Sequence, residues 1–307
     1  MYDKCKVTGY KALRPGLKLI GAKTKVRNLL YPYFPPHRQY VEPMLGTGGV
    51  LIGKPQVELE MVGDLNEYLI DYYHILQQRP EEFWNLLQLE HTCLIKWEKD
   101  YFESLKKRIT RTDDKLIRAV YFYLITKHCY NGIWRLNLDG ECNSSWGKEI
   151  KGRGVFTRSR DWYDKVLARI KDVKFHHGPY KGLLAHANWE EKENKFVKAG
   201  REASGKSGPP KPEETFVFLD PPYHSCKTVY NGIDWLDEDF VTFKTMLDKA
   251  KYRWMVTINK ETVEREIDYF VLDLFKDYHI EEFTAYYSCS QTNAGRGPKT
   301  ELIVMNY

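Results

Sequence analysis

The chain has 307 residues, of which 42% are hydrophobic, and a formal net charge of +5. A chain of this length can bury one large core, alone or with a smaller satellite domain, and the mild basic excess permits a polyanionic partner without requiring one. No apolar run approaches the roughly 18 residues of a membrane span, and the N-terminal residues lack the apolar region of a signal peptide. The six cysteines are scattered without a CxxC pair, which suggests neither a disulfide framework nor a metal site. We therefore expect a reduced, cytoplasmic protein without membrane contact.

The first predicted elements are two short strands with polar ends. Residues 39–42 run into the glycine-rich stretch 43-PMLGTGGVL-51, and residues 59–62 end at 63-GDLN-66. Glycines between a strand and a helix let a ligand approach the backbone, although a plain tight turn explains them as well. Asp64, about twenty residues further on, can accept both hydroxyls of a ribose, as in doubly wound folds. Together they suggest a nucleoside-containing cofactor, and the missing GK[ST] of a P-loop argues against ATP.

Long amphipathic, aromatic and basic stretches follow between about residues 71 and 163. One of them, 114-DKLIRAVYFYLITKHCYNG-132, has helical periodicity up to its Asn-Gly end. Strand patterns return further along the chain, at residues 173–177, 215–219, 253–258, 280–288 and 301–306. Strands separated by helical stretches favour an α/β fold. We predict a catalytic core formed by residues 1–70 and 164–307, interrupted by an inserted, mainly helical domain over residues 71–163.

Residues 187–214 do not fit a regular element. The segment is charged and rich in Lys, Gly and Pro, so it is too polar to bury and too long for an ordinary connection between helix and strand. We predict a flexible surface loop. A basic lid that folds over DNA is the alternative.

The stretch 218-FLDPPYHS-225 places two prolines at the end of a predicted buried strand. Proline cannot donate to a sheet ladder, so a rigid loop must leave the sheet there. The Asp220 carboxylate and the Pro221 carbonyl can accept the hydrogens of an aromatic amine, on which the Tyr223 ring can stack. Two acceptors draw such an amine toward tetrahedral geometry and free its lone pair for attack. We interpret Asp220, Pro221, Pro222 and Tyr223 as a catalytic clamp for an amine such as N6 of adenine, with a structural Pro-Pro turn as the alternative.

Several motifs in this order resemble the Dam-like, alpha-group, adenine-specific DNA methyltransferases. They cover most of the chain, at 17-LKLIGAK-23, 41-VEPMLGTGGVL-51, 63-GDLNEYLI-70, 128-HCYNGIWRLNLDGECNSSWGK-148, 217-VFLDPPY-223 and 288-SCSQTNAGRGPKTELIVMNY-307. In that family the cofactor motif comes first, the target-recognition segment second and the Asp-Pro-Pro-Tyr motif last. The resemblance implies a Rossmann-like, S-adenosylmethionine-dependent methyltransferase sheet with an inserted target-recognition domain that carries a β-hairpin.

By this resemblance, S-adenosylmethionine would be the cofactor. Asp64 would hold its ribose and Tyr180 would lie near its adenine. The full set of residues expected to bind it is Leu19, Lys23, Glu42, Pro43, Met44, Gly46, Gly48, Asp64, Asn66, Tyr180 and Asp220. Leu19 and Met44 each stand where the family has an aromatic residue, which reduces the aromatic surface around the cofactor.

The same resemblance assigns DNA contacts to the segment around 138-LDGE-141, whose Asp-Gly suggests a hairpin turn. Tyr130 and Asn131 would fill the place of a base that has left the stack. Arg135 corresponds to the base-reading arginine of the family, and its fork fits the O6 and N7 acceptors of guanine. Asn137 and Lys148 complete the predicted DNA-binding set, Lys148 as a phosphate contact or part of a solvated basic face.

These inferences predict a site-specific adenine-N6 methyltransferase that acts on a flipped-out base in duplex DNA, with a GATC-like site as the leading candidate by resemblance. An RNA adenine methyltransferase is an alternative, because the clamp contacts only the base. A catalytically weak DNA-binding relative is another. We expect a bacterial or phage-encoded cytoplasmic protein, a monomer or weak dimer, which acts in DNA methylation either alone or beside a cognate restriction endonuclease, and we expect no metal.

Overall fold

The computed structural model describes residues 13–147, 158–188, 210–225, 235–262, 264–287 and 297–307. A seven-stranded sheet forms its centre. The strands are β1 (Gln39–Glu42), β2 (Leu59–Asp64), β3 (Lys174–His177), β4 (Thr215–Leu219), β5 (Arg253–Asn259), β6 (His279–Tyr287) and β7 (Gly297–Met305). Each strand predicted from the sequence is confirmed, within a few residues of its expected position.

The strand order is β3-β2-β1-β4-β5-β7-β6. The first five strands in this order are parallel, whereas β7 is antiparallel to both of its neighbours. Because the chain adds β2 and β3 on one side of β1 and β4 and β5 on the other, the order reverses between β1 and β4. Ligands of doubly wound sheets bind beside such a reversal, at the carboxyl ends of the strands. The predicted Rossmann-like α/β fold is therefore confirmed, and its topology places a site after β1 and β4.

The central strands are buried on both faces, as parallel strands covered by helices are. All five residues of β4 are buried. Since alternate residues of a strand point to opposite faces, Phe216 and Phe218 pack in one apolar cluster, and Val217 and Leu219 pack in the other. The continuous apolar run of β4 therefore reflects two separate cores.

Helices cover the two faces of the sheet in separate groups. The described helices are α1 (Arg27–Leu30), α2 (Gly49–Gly53), α3 (Glu67–Gln78), α4 (Pro80–Ile109), α5 (Lys115–His128), α6 (Arg160–Ile170), α7 (Tyr180–Ala187), α8 (Asp237–Asp248) and α9 (Tyr269–Leu274). Helices α3 to α6 pack in the cluster that contains Phe216. Helices α7 to α9 pack in the cluster that contains Val217.

Helices α4 and α5 lie in the predicted insertion. The predicted helix at residues 114–132 is confirmed as α5, and its N-cap Asp114 accepts a hydrogen bond from the Leu116 amide at 2.8 Å. Helix α4 is interrupted at Glu98, which has a φ of 42°. The division into a catalytic and a target-recognition domain stays a prediction, and the loop predicted at 187–214 lies mainly outside the described residues.

Within the described ranges, no helix is both long and apolar enough to cross a membrane. The same ranges contain no group of three or more His, Cys, Asp or Glu placed to hold a metal ion. Cys93, Cys129 and Cys142 are free thiols.

Candidate active site

Three carboxylates stand at the carboxyl ends of three neighbouring strands. Glu42 ends β1, Asp64 ends β2 and Asp220 follows β4 directly. Parallel strands end at one edge of the sheet, so the fold brings these side chains to the reversal between β1 and β4. Burial raises the pKa of Glu42 to about 8, and it also raises the pKa of Asp64 and of Asp220. Glu42 is buried, whereas Asp64 and Asp220 are partly buried. Carboxylates with raised pKa values at a strand-end crevice are typical of a functional site.

Asp220 is held by two donors. The Nζ of Lys23 lies 2.8 Å from both carboxylate oxygens, and the hydroxyl of Thr257 donates to Oδ1 at 2.9 Å. The Lys23 side chain is only 9% exposed. Burial lowers the pKa of Lys23, but the charges of Asp220 and Glu301 outweigh this effect and raise it above its ordinary value. Lys23 is therefore a buried ammonium that fixes the rotamer of Asp220.

Tyr223 contacts the charged side chains of Glu301 and Lys23. Its hydroxyl donates to the Glu301 carboxylate on β7, and the Nζ of Lys23 lies 4.8 Å from the centre of its ring. Glu301 is 1% exposed. The Lys23 ammonium and the Glu301 carboxylate thus contact the two ends of the Asp-Pro-Pro-Tyr motif.

The prolines carry the chain from β4 to this point. Pro221 is buried, and Pro222 is half-buried. Within the described part of the chain, the Pro221 carbonyl accepts no hydrogen bond. Asp220, Pro221 and Tyr223 therefore lie directly after β4, with one backbone acceptor open beside the carboxylate in the described part of the chain, and their role as a clamp stays a prediction.

Thr257 and Glu301 were not predicted from the sequence. Each is a single polar residue in or beside an apolar strand run, in 253-RWMVTI-258 and 301-ELIVMN-306. Buried ionisable groups are rare unless they are paired. A glutamate directly before an apolar run of strand residues was the signal that could have identified Glu301.

The loop after β1 is shaped by Asp64 and two left-handed glycines. The amide of Gly46 donates to Asp64 Oδ2 and the amide of Asn66 donates to Oδ1, both at 2.9 Å. Gly46 has a φ of 51° and Gly48 a φ of 68°, and a Cβ at Gly48 would lie 2.7 Å from the Tyr73 hydroxyl. Each oxygen of Asp64 keeps further acceptor capacity. Asp64 can therefore order the loop and still accept hydroxyl donors.

Two residues of the predicted cofactor set have structural contacts instead. Asn66 is the N-cap of α3, where its side chain accepts a hydrogen bond from the Leu69 amide at 3.3 Å. Leu19 is buried in the apolar cluster around Phe216. These contacts account for both residues without a ligand, and cofactor binding by either stays a prediction.

Three other members of that set, Pro43, Met44 and Tyr180, lie just after the ends of β1 and β3. Pro43 is buried directly after β1, and Met44 packs beside the second apolar cluster. Tyr180 begins α7 after β3, and its ring packs 5.4 Å from Trp235 and 5.6 Å from Phe243. The contacts with Trp235 and Phe243 hold the Tyr180 ring at this edge of the sheet.

The predicted base-flipping residues form a tight turn. Tyr130 is 44% exposed, and Asn131 has a left-handed φ of 54°. The carbonyl of Gly132 accepts a hydrogen bond from the Ile20 amide at 3.2 Å, and a Cβ at Gly132 would lie 2.8 Å from the carbonyl oxygen of Lys18. The turn is thus packed against the segment that leads to the Lys23 ammonium.

The Asp-Gly turn predicted at 138–141 is confirmed. The carbonyl of Glu141 accepts from the Asn137 amide at 2.9 Å, and Asn137 Oδ1 accepts from the Glu141 amide at 2.8 Å. Gly140 has a φ of 77°. The residues on the two sides of the turn form one isolated β-bridge, between Leu136 and Cys142, and not a continuous pairing of two strands. The Asn137 side chain therefore closes the turn, and a DNA contact by it stays a prediction.

Arg135 lies between this turn and the Tyr130 turn. Its amide donates to the Ser144 hydroxyl at 3.1 Å, and its guanidinium donates to the Ser145 hydroxyl at 3.4 Å. The Nε of Arg135 is buried without an acceptor among the described residues. The guanidinium therefore has unused donors, which is compatible with a base contact. Lys148 lies outside the described residues.

The order of the strands, the glycine loop after β1, the acid that ends β2 and the Asp-Pro-Pro-Tyr motif after β4 define a Rossmann-like methyltransferase. The model of the D12 class N6 adenine-specific DNA methyltransferases matches residues 19–197 and 191–289. The chain belongs to this family, and the prediction of an adenine-specific DNA methyltransferase is confirmed.

Two relatives match this chain over nearly their whole length. The chain is 25% identical to the Type II methyltransferase M.MjaIII of Methanocaldococcus jannaschii, over 96% of this chain and 99% of the relative. It is 26% identical to the Type II methyltransferase M1.LlaDCHI of Lactococcus lactis subsp. cremoris, over 96% of each chain. It is also 28% identical to the DNA adenine methylase of Escherichia coli K12, over 58% of this chain and 69% of that protein.

Proposed function

We propose that the protein transfers the methyl group of S-adenosylmethionine to N6 of an adenine flipped out of duplex DNA. The observation that carries this proposal is the Asp220 carboxylate at the strand reversal, held by Lys23 and Thr257 and followed by an open Pro221 carbonyl. Chemistry on a base amine requires the base to leave the stack. The family acts on adenine in DNA, and S-adenosylmethionine is the usual methyl donor of such enzymes.

The residues after β1 and β2 fit this donor. A Cβ at Gly46 would meet no atom within 4 Å, so there is room beside the loop. The hydroxyl of Thr47 is buried without a partner among the described residues, which leaves a polar group to be satisfied. Asp64 would hold the ribose hydroxyls of S-adenosylmethionine, and Lys23 and Glu42 would contact it elsewhere. When bound, S-adenosylmethionine supplies a methyl group on its sulfonium sulfur. Tyr180 would lie near its adenine.

The clamp acts on the target amine. The N6 lone pair of adenine is delocalised into the ring, so hydrogen bonds from the amine to Asp220 and to the Pro221 carbonyl would favour the tetrahedral geometry of attack. As N6 takes the methyl group and the bond from that group to the sulfonium sulfur breaks, positive charge would develop on N6, and an anionic Asp220 would stabilise this charge until N6 releases one proton to solvent. Tyr223, held at its hydroxyl by Glu301, would stack on the base.

Incubation of the protein with tritium-labelled S-adenosylmethionine and matched duplex DNA or RNA tests the proposal. We expect label in N6-methyladenine of the duplex DNA alone. Label in RNA, or cofactor binding without transfer to any DNA, would contradict it. Sequencing of methylated bases in DNA from expressing cells would give the site, for which we propose a GATC-like sequence.

The biological setting is a further part of the proposal. The names of both full-length relatives, Type II methyltransferases, support a role beside a cognate restriction endonuclease. We propose a cytoplasmic monomer or weak dimer. Sedimentation of the protein alone and with a duplex containing the site would give the oligomeric state directly.

Replacement of Asp64 by alanine should raise the KM for S-adenosylmethionine more than it lowers kcat. A ribose contact binds the ground and transition states alike, so its loss appears mainly in KM. Because Asp64 also orders Gly46, Asp64→Asn, which keeps one acceptor oxygen for the loop, is the matched control. A fall in kcat with unchanged cofactor affinity would show that Asp64 acts elsewhere.

Arg135→Ala should lose about 1–3 kcal/mol of discrimination at a single base position, if the guanidinium reads guanine. Lys148→Ala should instead weaken binding to all sequences and flatten the salt dependence, because a phosphate contact releases a counterion without reading a base. Both variants would be assayed on duplexes changed one base pair at a time, at two salt concentrations. Equal weakening across the panel by Arg135→Ala would make the arginine a backbone contact.

A further inference from the structure

The residue that follows the Asp-Pro-Pro-Tyr motif is held at both ring nitrogens. His224 Nδ1 lies 2.6 Å from Asp268 Oδ2, and Nε2 lies 3.0 Å from Asp237 Oδ1. Asp268 is the buried N-cap of α9, and Asp237 is the largely exposed first residue of α8. Ionised carboxylates only accept hydrogen bonds. Both nitrogens of His224 must then carry protons, so the ring is an imidazolium that bridges two helices.

The charges around the ring favour this protonated form. Burial lowers the pKa of His224, but hydrogen bonds and charges from Asp268 and Asp237 outweigh burial and raise the pKa above its ordinary value. Among the described residues, the charged groups acting on the ring are these two carboxylates, one from the start of α8 and one from the N-cap of α9. In the same part of the chain, the neutral side chains of Ser225, Phe240 and Phe270 also contact the ring.

The backbone at this residue is fixed as well. The His224 carbonyl accepts from the Asn259 side chain at 3.3 Å, and the ring stacks on Phe270 at 4.7 Å. Ser225 has a left-handed φ of 56°. A non-glycine residue keeps such a conformation only where its surroundings impose it. Since Tyr223 is tied to Glu301 on β7, two consecutive residues anchor the end of the clamp to different elements.

We propose that His224 is a positioning residue whose imidazolium bridge holds Tyr223 in place against the target adenine, and that methyl transfer falls when this bridge loses its proton. The inference rests on the proposed role of the clamp. A neutral imidazole keeps one N–H and turns a lone pair toward the other carboxylate, so one anchor becomes repulsive. Because the partners raise the pKa of His224, the bridge is complete below that pKa and opens as the pH rises through it.

The pH dependence of kcat on duplex DNA, at saturating cofactor, tests this role. The parent should lose activity as the pH rises past the pKa of His224. Asp237→Asn should weaken this loss, because its side-chain amide can donate a hydrogen bond to the neutral Nε2 and keep the bridge closed. Glu238→Gln removes an exposed charge beside Asp237 that does not act on the His224 ring, so its profile should match that of the parent. His224→Gln should lower kcat on the order of tenfold to a hundredfold, with cofactor KM within a few-fold.

A spectroscopic measurement keeps the test independent of turnover and of folding losses in one variant. In protein labelled with ¹⁵N-histidine, the His224 signals are those absent from His224→Gln. They should report two protonated nitrogens at neutral pH and should titrate at lower pH in Asp237→Asn. A neutral ring at neutral pH, or a loss of activity with rising pH that is unchanged in an active Asp237→Asn, would overturn the positioning role. A parent that methylates no DNA at any pH would contradict the proposed function as well.

Discussion

Replacing Asp220 by alanine should reduce methyl transfer on the order of a hundredfold or more, while S-adenosylmethionine affinity stays within a few-fold. The carboxylate is held by Lys23 and Thr257, and in the proposed clamp it would face the amine and the charge that develops on it. Single-turnover rates on duplex DNA, with calorimetric titration of the cofactor, measure the two effects separately. Asp277→Ala, which removes an exposed acid, is the control for charge loss.

The variant Asp220→Asn separates the effect of the charge from that of the shape of the side chain. Asp220→Asn keeps the shape and one acceptor oxygen but removes the negative charge, so transfer should remain strongly reduced. Transfer within tenfold of the parent by Asp220→Ala would remove Asp220 from the clamp.

Lys23→Met should lower transfer by about tenfold or more at neutral pH, with partial recovery as the pH rises. Lys23 lowers the pKa of Asp220 against the effects of burial and of Glu301. Without the ammonium, the pKa of Asp220 rises further, so the carboxyl is ionised and able to accept the amine hydrogens only at higher pH. The dependence has the opposite sign to that expected for His224. A kcat profile across neutral and alkaline pH distinguishes the two.

Stability gives a second readout of Lys23→Met. Breaking a buried ion pair by removing one partner typically costs about 3–5 kcal/mol, so the free energy of unfolding in denaturant should fall by a similar amount. Lys23→Arg keeps the charge and should retain most of both properties. A parent-like pH profile in Lys23→Met would show that the ammonium does not control the ionisation of Asp220.

The sequence indicated those candidate site residues whose signal lies in the neighbouring residues of the chain. Asp64 and Asp220 each end a hydrophobic run, and the alternation of strands and helices brings such ends to one edge of a doubly wound sheet. Glu301 and Thr257 come from β7 and β5, far from Asp220 in the chain, and no local pattern pairs them. The position of Glu301 depends on the antiparallel placement of β7, and that of Thr257 on the pairing of β5 with β4.

Other residues show how the same amino acid serves two purposes. Asn66 and Asn137 were predicted to bind ligands, and the structure shows their side chains capping a helix and closing a turn. Asparagine favours such positions because its short amide bonds to nearby backbone groups. Similarly, the two partners of His224 lie 13 and 44 residues beyond it, so the sequence DPPYHS alone does not indicate a bridge.

The place of β7 between β5 and β6 has a consequence for biosynthesis. Residues 297–305 are translated after those of both strands that they separate. A nascent chain with these residues still in the ribosome has β5 without its antiparallel neighbour, and Tyr223 and Lys23 without Glu301. The last strand to emerge therefore completes both the sheet and the group of charges around Lys23 and Tyr223.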